Sequence, residues 1–214
     1  MLLDMKKNLK GLYVITDKEL IDRDQFVVTV EKSIKGGASI VQLREKDTPE
    51  KEIIDLGRQI LKVTRKYNVP LIINDSPELT REIGADGVHL GGEDCSIAKA
   101  RELLGNDIII GVTCYNEVER GLYAVQNGAD YVAFGTPYNT PTKPDREPTS
   151  IDTLKEAVSL IKTIPVFAIG GITKENAGTI LETGVDGIAV ITSIFGSADP
   201  ETSARELTKL YGEN

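Results

Sequence analysis

GASIVQL at residues 37–43 begins a pattern that recurs as GADGVHL at 84–90, GADYVAF at 128–134 and GVDGIAV at 184–190. The repeats start 47, 44 and 56 residues apart, and each interval is long enough for two strand–helix units. The opening glycine suits the left-handed residue after a helix, and the apolar residues that follow suit a buried strand. Four double units contain eight strands, so the pattern predicts a (β/α)8 barrel.

Short runs of β-branched and other apolar residues alternate with helical patterns along the whole chain. Parallel strands that are covered on both faces have this composition. We predict eight strands, which begin at Leu12, Ile40, Pro70, Gly87, Ile108, Tyr131, Val166 and Gly187. A doubly wound open sheet is the alternative, but it does not require an even fourfold repeat that continues to the C-terminus. No proline- or serine-rich linker divides the chain, so we expect residues 1–214 to form a single barrel domain.

Composition and charge exclude several classes of protein. Of the 214 residues, 40% are hydrophobic and 27% are charged, which is typical of a folded globular domain. The formal net charge of −8 argues against a general nucleic-acid-binding protein. No apolar run approaches the roughly 18 residues of a membrane-spanning helix, and the N-terminus lacks the pattern of a secretory signal. We therefore expect neither a nucleic-acid partner nor a membrane partner.

The rare residue types narrow the chemistry further. His89 is the only histidine, so neither a Ser-His-Asp relay nor a multi-histidine metal site is expected. Its position within a strand favours a place in the barrel core. Gln42 alternates with strand residues in the same way, which leaves both a core and a functional interpretation open. Cys95 and Cys114 lack the spacing of a metal site or of a disulfide framework, which favours a reducing, cytoplasmic location.

In a (β/α)8 barrel the active site lies at the C-terminal ends of the strands. Cations, carboxylates, hydroxyls and paired glycines follow the predicted strands at that end. These residues are Arg44, Glu45, Lys46, Asn74, Asp75, Asp94, Thr113, Thr140, Thr142, Lys143, Gly170, Gly171 and Thr192. The irregular stretch 136–150 is too long for a minimal turn, so we expect a functional loop after the sixth strand.

Each of these groups has a structural and a functional interpretation. Asp75 and Asp94 can cap the helices that follow them, or they can share a divalent cation, which prefers oxygen ligands. The cations Arg44, Lys46 and Lys143 are either solvated or part of a polyphosphate site. The paired glycines after the seventh strand either permit close packing or present backbone N–H groups to a phosphate. Together the groups predict a Mg²⁺-dependent enzyme that joins a diphosphate substrate to a monophosphate substrate.

Five strings closely resemble the thiamine-phosphate synthase family: QLREK at 42–46, ND at 74–75, GVHLGGED at 87–94, TPTK at 140–143 and AIGGI at 168–172. The similarity extends from GLYVITD near the N-terminus to GIAVITSIF near the C-terminus, so it covers nearly the whole chain. AIGGI alone is weakly specific, because many phosphate-binding barrels contain it. QLREK, ND and T-x-T-K together are specific.

The resemblance implies a transferase with a defined reaction. A member of this family condenses 4-amino-2-methyl-5-hydroxymethylpyrimidine diphosphate with 4-methyl-5-(2-phosphooxyethyl)thiazole, which releases pyrophosphate and forms thiamine phosphate. The diphosphate leaves first, and the thiazole nitrogen then captures the resonance-stabilised pyrimidine carbocation. Mg²⁺ and cations must therefore neutralise the charge that grows on the leaving pyrophosphate. A dissociative step of this kind needs no general base.

The resemblance also implies a role for particular residues of this chain. The Mg²⁺ ligands, for one ion per subunit, are Asp75 and Asp94. The contacts to the pyrimidine diphosphate are Gln42, Leu43, Arg44, Glu45, Lys46, Asn74, Thr113 and Lys143. Among them the cations with a catalytic role are Arg44, Lys46 and Lys143. The contacts to the thiazole phosphate are Thr140, Pro141, Thr142, Gly171, Ile191 and Thr192.

Several positions depart from the commonest pattern of the family. Thr113 and Thr192 stand where serine is usual, so a hydroxyl is kept and a methyl group is added. Gly92 replaces a usual glutamine, and Tyr115-Asn116 fall where a histidine often follows. The loop after the sixth strand reads GTPYNTPTK where GPIFPTxTK is usual. These departures concern the details of the thiazole pocket more than the metal and diphosphate site.

Three other functions remain as alternatives. A thiazole tautomerase resembles this fold but lacks the complete diphosphate machinery. An isomerase of sugar phosphates or of tryptophan biosynthesis would explain the paired glycines but not the two aspartates with T-x-T-K. A catalytically silent barrel would bind thiamine phosphate without turnover. The sequence also leaves open whether the chain forms a homo-oligomer.

Overall fold

The fold is described from a computed structural model of the chain, in which residues 6, 9–139 and 148–212 are defined. Eight parallel strands close into a barrel in chain order, and the first strand pairs with the last. The strands are β1 (Gly11–Ile15), β2 (Ala38–Leu43), β3 (Leu71–Asn74), β4 (Gly87–Leu90), β5 (Ile109–Tyr115), β6 (Tyr131–Gly135), β7 (Val166–Ile169) and β8 (Gly187–Val190). The predicted strands and the predicted (β/α)8 barrel are confirmed, and closure of the barrel excludes the open sheet.

Helices connect the strands on the outside of the barrel. In the described ranges the α-helices are α1 (Phe26–Lys35), α2 (Glu50–Lys66), α3 (Pro77–Ile83), α4 (Ile97–Leu104), α5 (Val118–Gln126), α6 (Ile151–Leu160), α7 (Ala177–Leu181), α8 (Thr192–Phe195) and α9 (Pro200–Lys209). Short 3-10 turns lie at Arg23–Gln25 and Leu210–Gly212. In α2 the stripe formed by Ile53, Leu56 and Ile60 is buried, as expected for an amphipathic helix. None of the helices in these ranges is both long enough and apolar enough to cross a membrane.

The aspartates of the sequence repeat fasten the beginnings of the strands. In three of the four repeats the carboxylate accepts a hydrogen bond from a backbone N–H group at or beside the start of the preceding strand. The pairs, at 2.8–2.9 Å, are Asp86 with Leu71, Asp130 with Ile110 and Asp186 with Val166. In the first repeat the hydroxyl of Ser39 instead donates to the carbonyl group of Leu12, at 3.2 Å. The third residue of each repeat therefore makes a backbone contact, at the end of the barrel opposite to the expected active site.

Three aromatic rings fill the inside of the barrel. Tyr13, Tyr131 and Phe167 are fully buried and meet edge to face, with ring centroids 5.4–5.8 Å apart. Strand glycines make room for these rings, because a Cβ on Gly111 would overlap Tyr131 and one on Gly187 would overlap Phe167. The aromatic layer closes the barrel below the rim, so ligands can reach only the residues above it.

Candidate functional site

A chain of hydrogen bonds crosses the barrel directly beneath the rim. Nε2 of Gln42 donates to the hydroxyl of Tyr13 at 2.6 Å, and this hydroxyl lies 2.8 Å from that of Tyr131. The Tyr131 hydroxyl lies 2.9 Å from Nδ1 of His89, and Nε2 of His89 lies 2.8 Å from Oγ1 of Thr113. Gln42 and His89 are both buried, which confirms the core position that was predicted for His89. The hydrogen-bonded network thereby links two predicted pyrimidine contacts, Gln42 on β2 and Thr113 on β5.

The available donors determine the direction in which each hydrogen bond of this network is donated. Burial raises the pKa of both tyrosine hydroxyls, so Tyr13 and Tyr131 keep their protons. The amide NH2 group of Gln42 only donates, so Tyr13 accepts from Gln42 and donates to Tyr131. Tyr131 then donates to Nδ1 of His89, and the proton of the neutral ring is on Nε2, which donates to Thr113. The hydroxyl proton of Thr113 is thus left for another partner.

The two cations after β2 each lie beside a carboxylate. Nη1 of Arg44 is 3.9 Å from Oδ2 of Asp17, and Nζ of Lys46 is 3.7 Å from Oδ2 of Asp75. The backbone N–H of Arg44 also donates to the buried Thr16 hydroxyl at 3.0 Å, which fixes the chain where it leaves the strand. The Lys46 side chain is half exposed at the rim. The fold therefore brings both cations and one predicted metal ligand to the same edge.

The carboxylate of Glu45, between these cations, is turned into the protein. Its side chain is 1% exposed, and Oε2 accepts from Thr48 at 3.0 Å and from Arg23 at 3.3 Å. Within the described residues, Oε1 of Glu45 is buried without a hydrogen-bond partner. These contacts stabilise the loop after β2 from its buried side. The predicted contact between Glu45 and substrate stays a prediction.

Neither Asp75 nor Asp94 caps a helix. The side chain of Ser76 caps α3 by accepting from an N–H group at 3.1 Å, and that of Ser96 caps α4 in the same way at 3.2 Å. The capping interpretation of the two aspartates is therefore wrong, because a serine one or two residues further along performs that role. The carboxylates are left for other contacts.

The two aspartates have different surroundings at the rim. Asp75 has a left-handed backbone, with φ of 64°, and its N–H donates to the carbonyl group of His89 at 2.8 Å. Oδ2 of Asp94 accepts from the N–H of Gly91 at 2.6 Å, which closes a tight turn after β4. In the described residues no group of three or more His, Cys, Asp or Glu side chains could hold a metal. Two carboxylates nevertheless fit Mg²⁺, which usually takes its remaining ligands from water and substrate phosphates.

Of the two glycines after β7, Gly171 is closely packed. Gly170 and Gly171 have φ of 117° and 58°, and a Cβ on Gly171 would overlap the carbonyl oxygen of Asn139. Nδ2 of Asn176 donates to the Gly171 carbonyl at 2.9 Å. Close packing is thus found at Gly171, and the phosphate interpretation of the glycine pair stays a prediction. At the neighbouring strand end, Thr192 is exposed in the first position of the short helix α8.

The predicted site includes four residues from the loop after β6. Thr140, Pro141, Thr142 and Lys143 lie outside the described residues. The other predicted contacts are on the strands or directly follow them at the C-terminal ends of β2, β3, β4, β5, β7 and β8. The fold thus gathers the described members of both predicted substrate regions at one end of the barrel.

Comparison with known proteins establishes the family. A model of the family described as thiamine monophosphate synthase matches residues 12–194. The chain belongs to the thiamine monophosphate synthase family. The thiamine-phosphate synthase of Methylococcus capsulatus is 44% identical over 202 residues, which cover 94% of this chain and 89% of that protein. The thiamine-phosphate synthase of Clostridium acetobutylicum is 42% identical over 203 residues, which cover 95% of each chain.

A solved structure agrees with these sequence relatives. Thiamine phosphate pyrophosphorylase from Pyrococcus furiosus matches with a TM-score of 0.88 and 38% sequence identity, over 97% of this chain and 98% of that chain. The resemblance to the thiamine monophosphate synthase family, drawn from the QLREK, ND and T-x-T-K strings, is therefore confirmed. It extends through the whole barrel.

Sequence reasoning missed several residues of this family member that support the site. Tyr13 and Tyr131 lie within apolar strand runs, so nothing in the sequence separates their hydroxyls from the core. Thr16 and Asp17 directly follow β1 in the GLYVITD string, and their position at a strand end was a usable signal. Tyr115 was noticed only as a departure from the family pattern, although its hydroxyl accepts from the loop after β4.

Proposed function

We propose that this chain is a thiamine-phosphate synthase that condenses the pyrimidine diphosphate with the thiazole phosphate and releases pyrophosphate. The observation that carries the proposal is the pairing of Lys46 with Asp75, 3.7 Å apart at the rim of a barrel of this family. A cation beside a metal-binding carboxylate is the arrangement that a leaving diphosphate requires, because charge grows on its oxygens as the C–O bond breaks.

The cations act on the leaving group. Arg44 and Lys46 contact the diphosphate oxygens, and Lys143, which lies outside the described residues, has the same role. Their positive charge stabilises the departing pyrophosphate more than the intact diphosphate. This difference lowers the activation barrier for breaking the C–O bond. Asp75 and Asp94 would hold one Mg²⁺, which when bound supplies further charge neutralisation. Asn74, next to Asp75, and the backbone of Leu43 and Glu45 complete the diphosphate region.

The hydrogen-bonded chain beneath the rim positions the pyrimidine. Its direction leaves the Oε1 atom of Gln42 to accept from the substrate and the hydroxyl of Thr113 to donate to it. Both ring nitrogens of His89 are engaged, one by Tyr131 and the other by Thr113, so the ring is not poised to remove a proton from substrate. This agrees with a dissociative reaction, in which the leaving group needs stabilisation and no base is required.

The thiazole phosphate occupies the opposite side of the rim. Gly171, Ile191 and Thr192, at the ends of β7 and β8, are the described residues of this region. Barrels of this class commonly hold phosphate at these two loops and at a short extra helix, which here is α8. Thr140, Pro141 and Thr142, which lie outside the described residues, are the remaining predicted contacts to the thiazole phosphate. The nitrogen of the thiazole then faces the carbocation across the rim.

The test is a complete reaction mixture. The purified protein is mixed with both substrates and Mg²⁺, with and without a chelator, while pyrophosphate and thiamine phosphate are measured together. The proposal requires both products in equal amounts and only with Mg²⁺. Isomerisation of the thiazole without pyrophosphate would indicate a tautomerase, and tight binding of thiamine phosphate without turnover would indicate a silent barrel.

Two further points belong to the proposal. Cys95 and Cys114 are free thiols, which suits a reducing cytoplasm, and cell fractionation with detection of the native chain tests this location. Oligomeric state is the second point, and light scattering of the purified chain measures it.

A further inference from the structure

The turn after β4, which carries Asp94, is held by an aromatic side chain from β5. The N–H of Gly92 donates to the hydroxyl of Tyr115 at 3.0 Å. A Cβ on Gly92 would lie 2.7 Å from that hydroxyl oxygen and 3.2–3.3 Å from the nearest ring carbons. The Tyr115 ring therefore occupies the space that a side chain at position 92 would need. Gly92 and Tyr115, which both depart from the family pattern, thus contact each other.

The backbone of Tyr115 is shaped for this contact. The pairing of β5 with β6 shifts register between Thr113 and Tyr115, as in a β-bulge, which re-aims the side chains that follow. Tyr115 has φ of 55°, a left-handed conformation that is rare for a bulky aromatic residue. Such a conformation persists only where the surroundings hold it. Thr149 contributes by donating from its hydroxyl to the Tyr115 carbonyl at 3.1 Å.

Arg120 ties the ring and the turn together. Its guanidinium carbon lies 5.2 Å from the centroid of the Tyr115 ring, within the range of a cation–π contact. Nε of Arg120 donates to the Thr113 carbonyl at 2.7 Å, and Nη2 donates to the Gly91 carbonyl at 3.3 Å. With the hydrogen bond from Gly91 to Asp94 at 2.6 Å, the short turn has three separate ties.

We propose that Tyr115 is a positioning residue that, with Arg120, fixes the turn after β4 so that the carboxylate of Asp94 faces the rim. Gly92 is required because the Tyr115 ring replaces a side chain at that position. Oδ2 of Asp94 accepts from the Gly91 N–H, and the carboxylate keeps lone pairs with which it would bind a divalent cation. This role rests on the proposed function only in taking Asp94 as a metal ligand.

The test uses Tyr115→Phe, which removes only the hydroxyl, and Tyr115→Asn, which removes the ring while keeping a residue that tolerates positive φ. Tyr123→Phe is the matched control, because Tyr123 is exposed on α5, away from the rim. Mn²⁺ binding in the presence of pyrophosphate is measured by electron paramagnetic resonance, which needs no turnover. The Mg²⁺ concentration for half-maximal activity is measured alongside.

Loss of one hydrogen bond should weaken Mn²⁺ binding by roughly three- to tenfold in Tyr115→Phe and by more in Tyr115→Asn. The Mg²⁺ requirement should rise by the same factor, while kcat at saturating Mg²⁺ changes less than the Mg²⁺ requirement. Tyr123→Phe should match the wild type in both measurements. Gly92→Ala should impair binding in the wild-type background and have little effect together with Tyr115→Asn, because the ring is then absent.

Two results would overturn the positioning role. One is Mn²⁺ binding by Tyr115→Phe and Tyr115→Asn that equals that of Tyr123→Phe. The other is an effect of Gly92→Ala that is the same with and without the Tyr115 ring. If the wild type makes thiamine phosphate and either result is found, only the positioning role fails. If the wild type binds Mn²⁺ with the predicted dependence on Tyr115 but makes no product, only the proposed function fails.

Discussion

The hydroxyl of Tyr131 lies 2.9 Å from Nδ1 of His89, at the middle of the hydrogen-bonded chain that crosses the barrel. Because both tyrosines stay protonated, this contact determines which nitrogen of the imidazole carries the proton. The arrangement makes His89 a neutral link between the barrel core and Thr113. It also gives a spectroscopic prediction, since the chain contains a single histidine.

Labelling the protein with ¹⁵N-histidine should show a neutral ring with the proton on Nε2. Tyr131→Phe removes the donor to Nδ1, so the tautomer ratio of the ring should change. The same variant should lower kcat/KM for the pyrimidine diphosphate by roughly 5- to 100-fold, because a buried polar partner is left unsatisfied. Tyr123→Phe is the control for both measurements. A wild-type ring with its proton on Nδ1 would contradict the proposed direction of the chain.

The cation at Lys46 should act on the leaving group. Lys46→Ala should slow release of pyrophosphate in a single turnover by roughly 10²-fold, the usual effect of removing one group that stabilises developing charge. Lys143→Ala should have an effect of similar size on the same step. Lys162→Ala, at an exposed position after α6, should leave the rate unchanged. An unchanged rate in Lys46→Ala or Lys143→Ala would assign that lysine to the solvated surface.

The packing at Gly171 should matter for the thiazole phosphate. Gly171→Ala places a Cβ against the Asn139 carbonyl on a backbone with φ of 58°, so the loop after β7 must move. We expect a higher KM for the thiazole phosphate and little change in that for the pyrimidine diphosphate. Gly178→Ala is the control, because a Cβ there has open space. Equal effects on both KM values would indicate a general loss of structure instead.

The aspartates of the repeat should stabilise the fold and not the reaction. Asp86→Ala leaves the buried N–H of Leu71 without its acceptor and should lower the free energy of unfolding by about 1–3 kcal/mol. Asp86→Asn keeps an acceptor oxygen, so its loss should be much smaller. Urea denaturation of both variants measures the difference, and kcat of each folded variant should match the wild type.

The pH dependence of the Asp86→Asn variant provides a second check. Burial raises the pKa of Asp86 above its ordinary value, so the folded state binds this proton more tightly than the unfolded state. The stability from this group is fully present below the unfolded pKa of about 3.9 and is lost as the pH rises through the folded pKa. Asp86→Asn should therefore gain stability relative to the wild type between pH 4 and pH 7. A difference that is constant with pH would contradict this assignment.

The barrel could be predicted because its signal is local and repeated. Each buried parallel strand is a continuous apolar run, and the glycine that opens each repeat marks the end of a helix. All four of those glycines, Gly37, Gly84, Gly128 and Gly184, have a positive φ, which favours glycine. The cations and carboxylates at the rim were also predictable, since residues that follow the strands of a barrel meet at one end.

The rest of the site depends on contacts that no local pattern contains. Ser76 follows Asp75 directly, so the sequence alone could not decide which of them caps the helix. The orientation of Tyr115 results from a register shift between β5 and β6, which leaves no trace in the composition of either strand. The link from Tyr13 to Tyr131 joins residues 118 positions apart, and only closure of the barrel brings their hydroxyls together.

The central claim is that a metal-bearing rim releases the diphosphate, and Asp75→Asn tests it most directly. Asparagine tolerates the left-handed backbone at this position, so the fold should be retained while the carboxylate is lost. Pyrophosphate and thiamine phosphate are measured in a single turnover at limiting Mg²⁺, for the wild type and the variant. We expect both products to form together in the wild type and the variant to lose most of both. Wild-type turnover by Asp75→Asn at limiting Mg²⁺ would contradict the central claim.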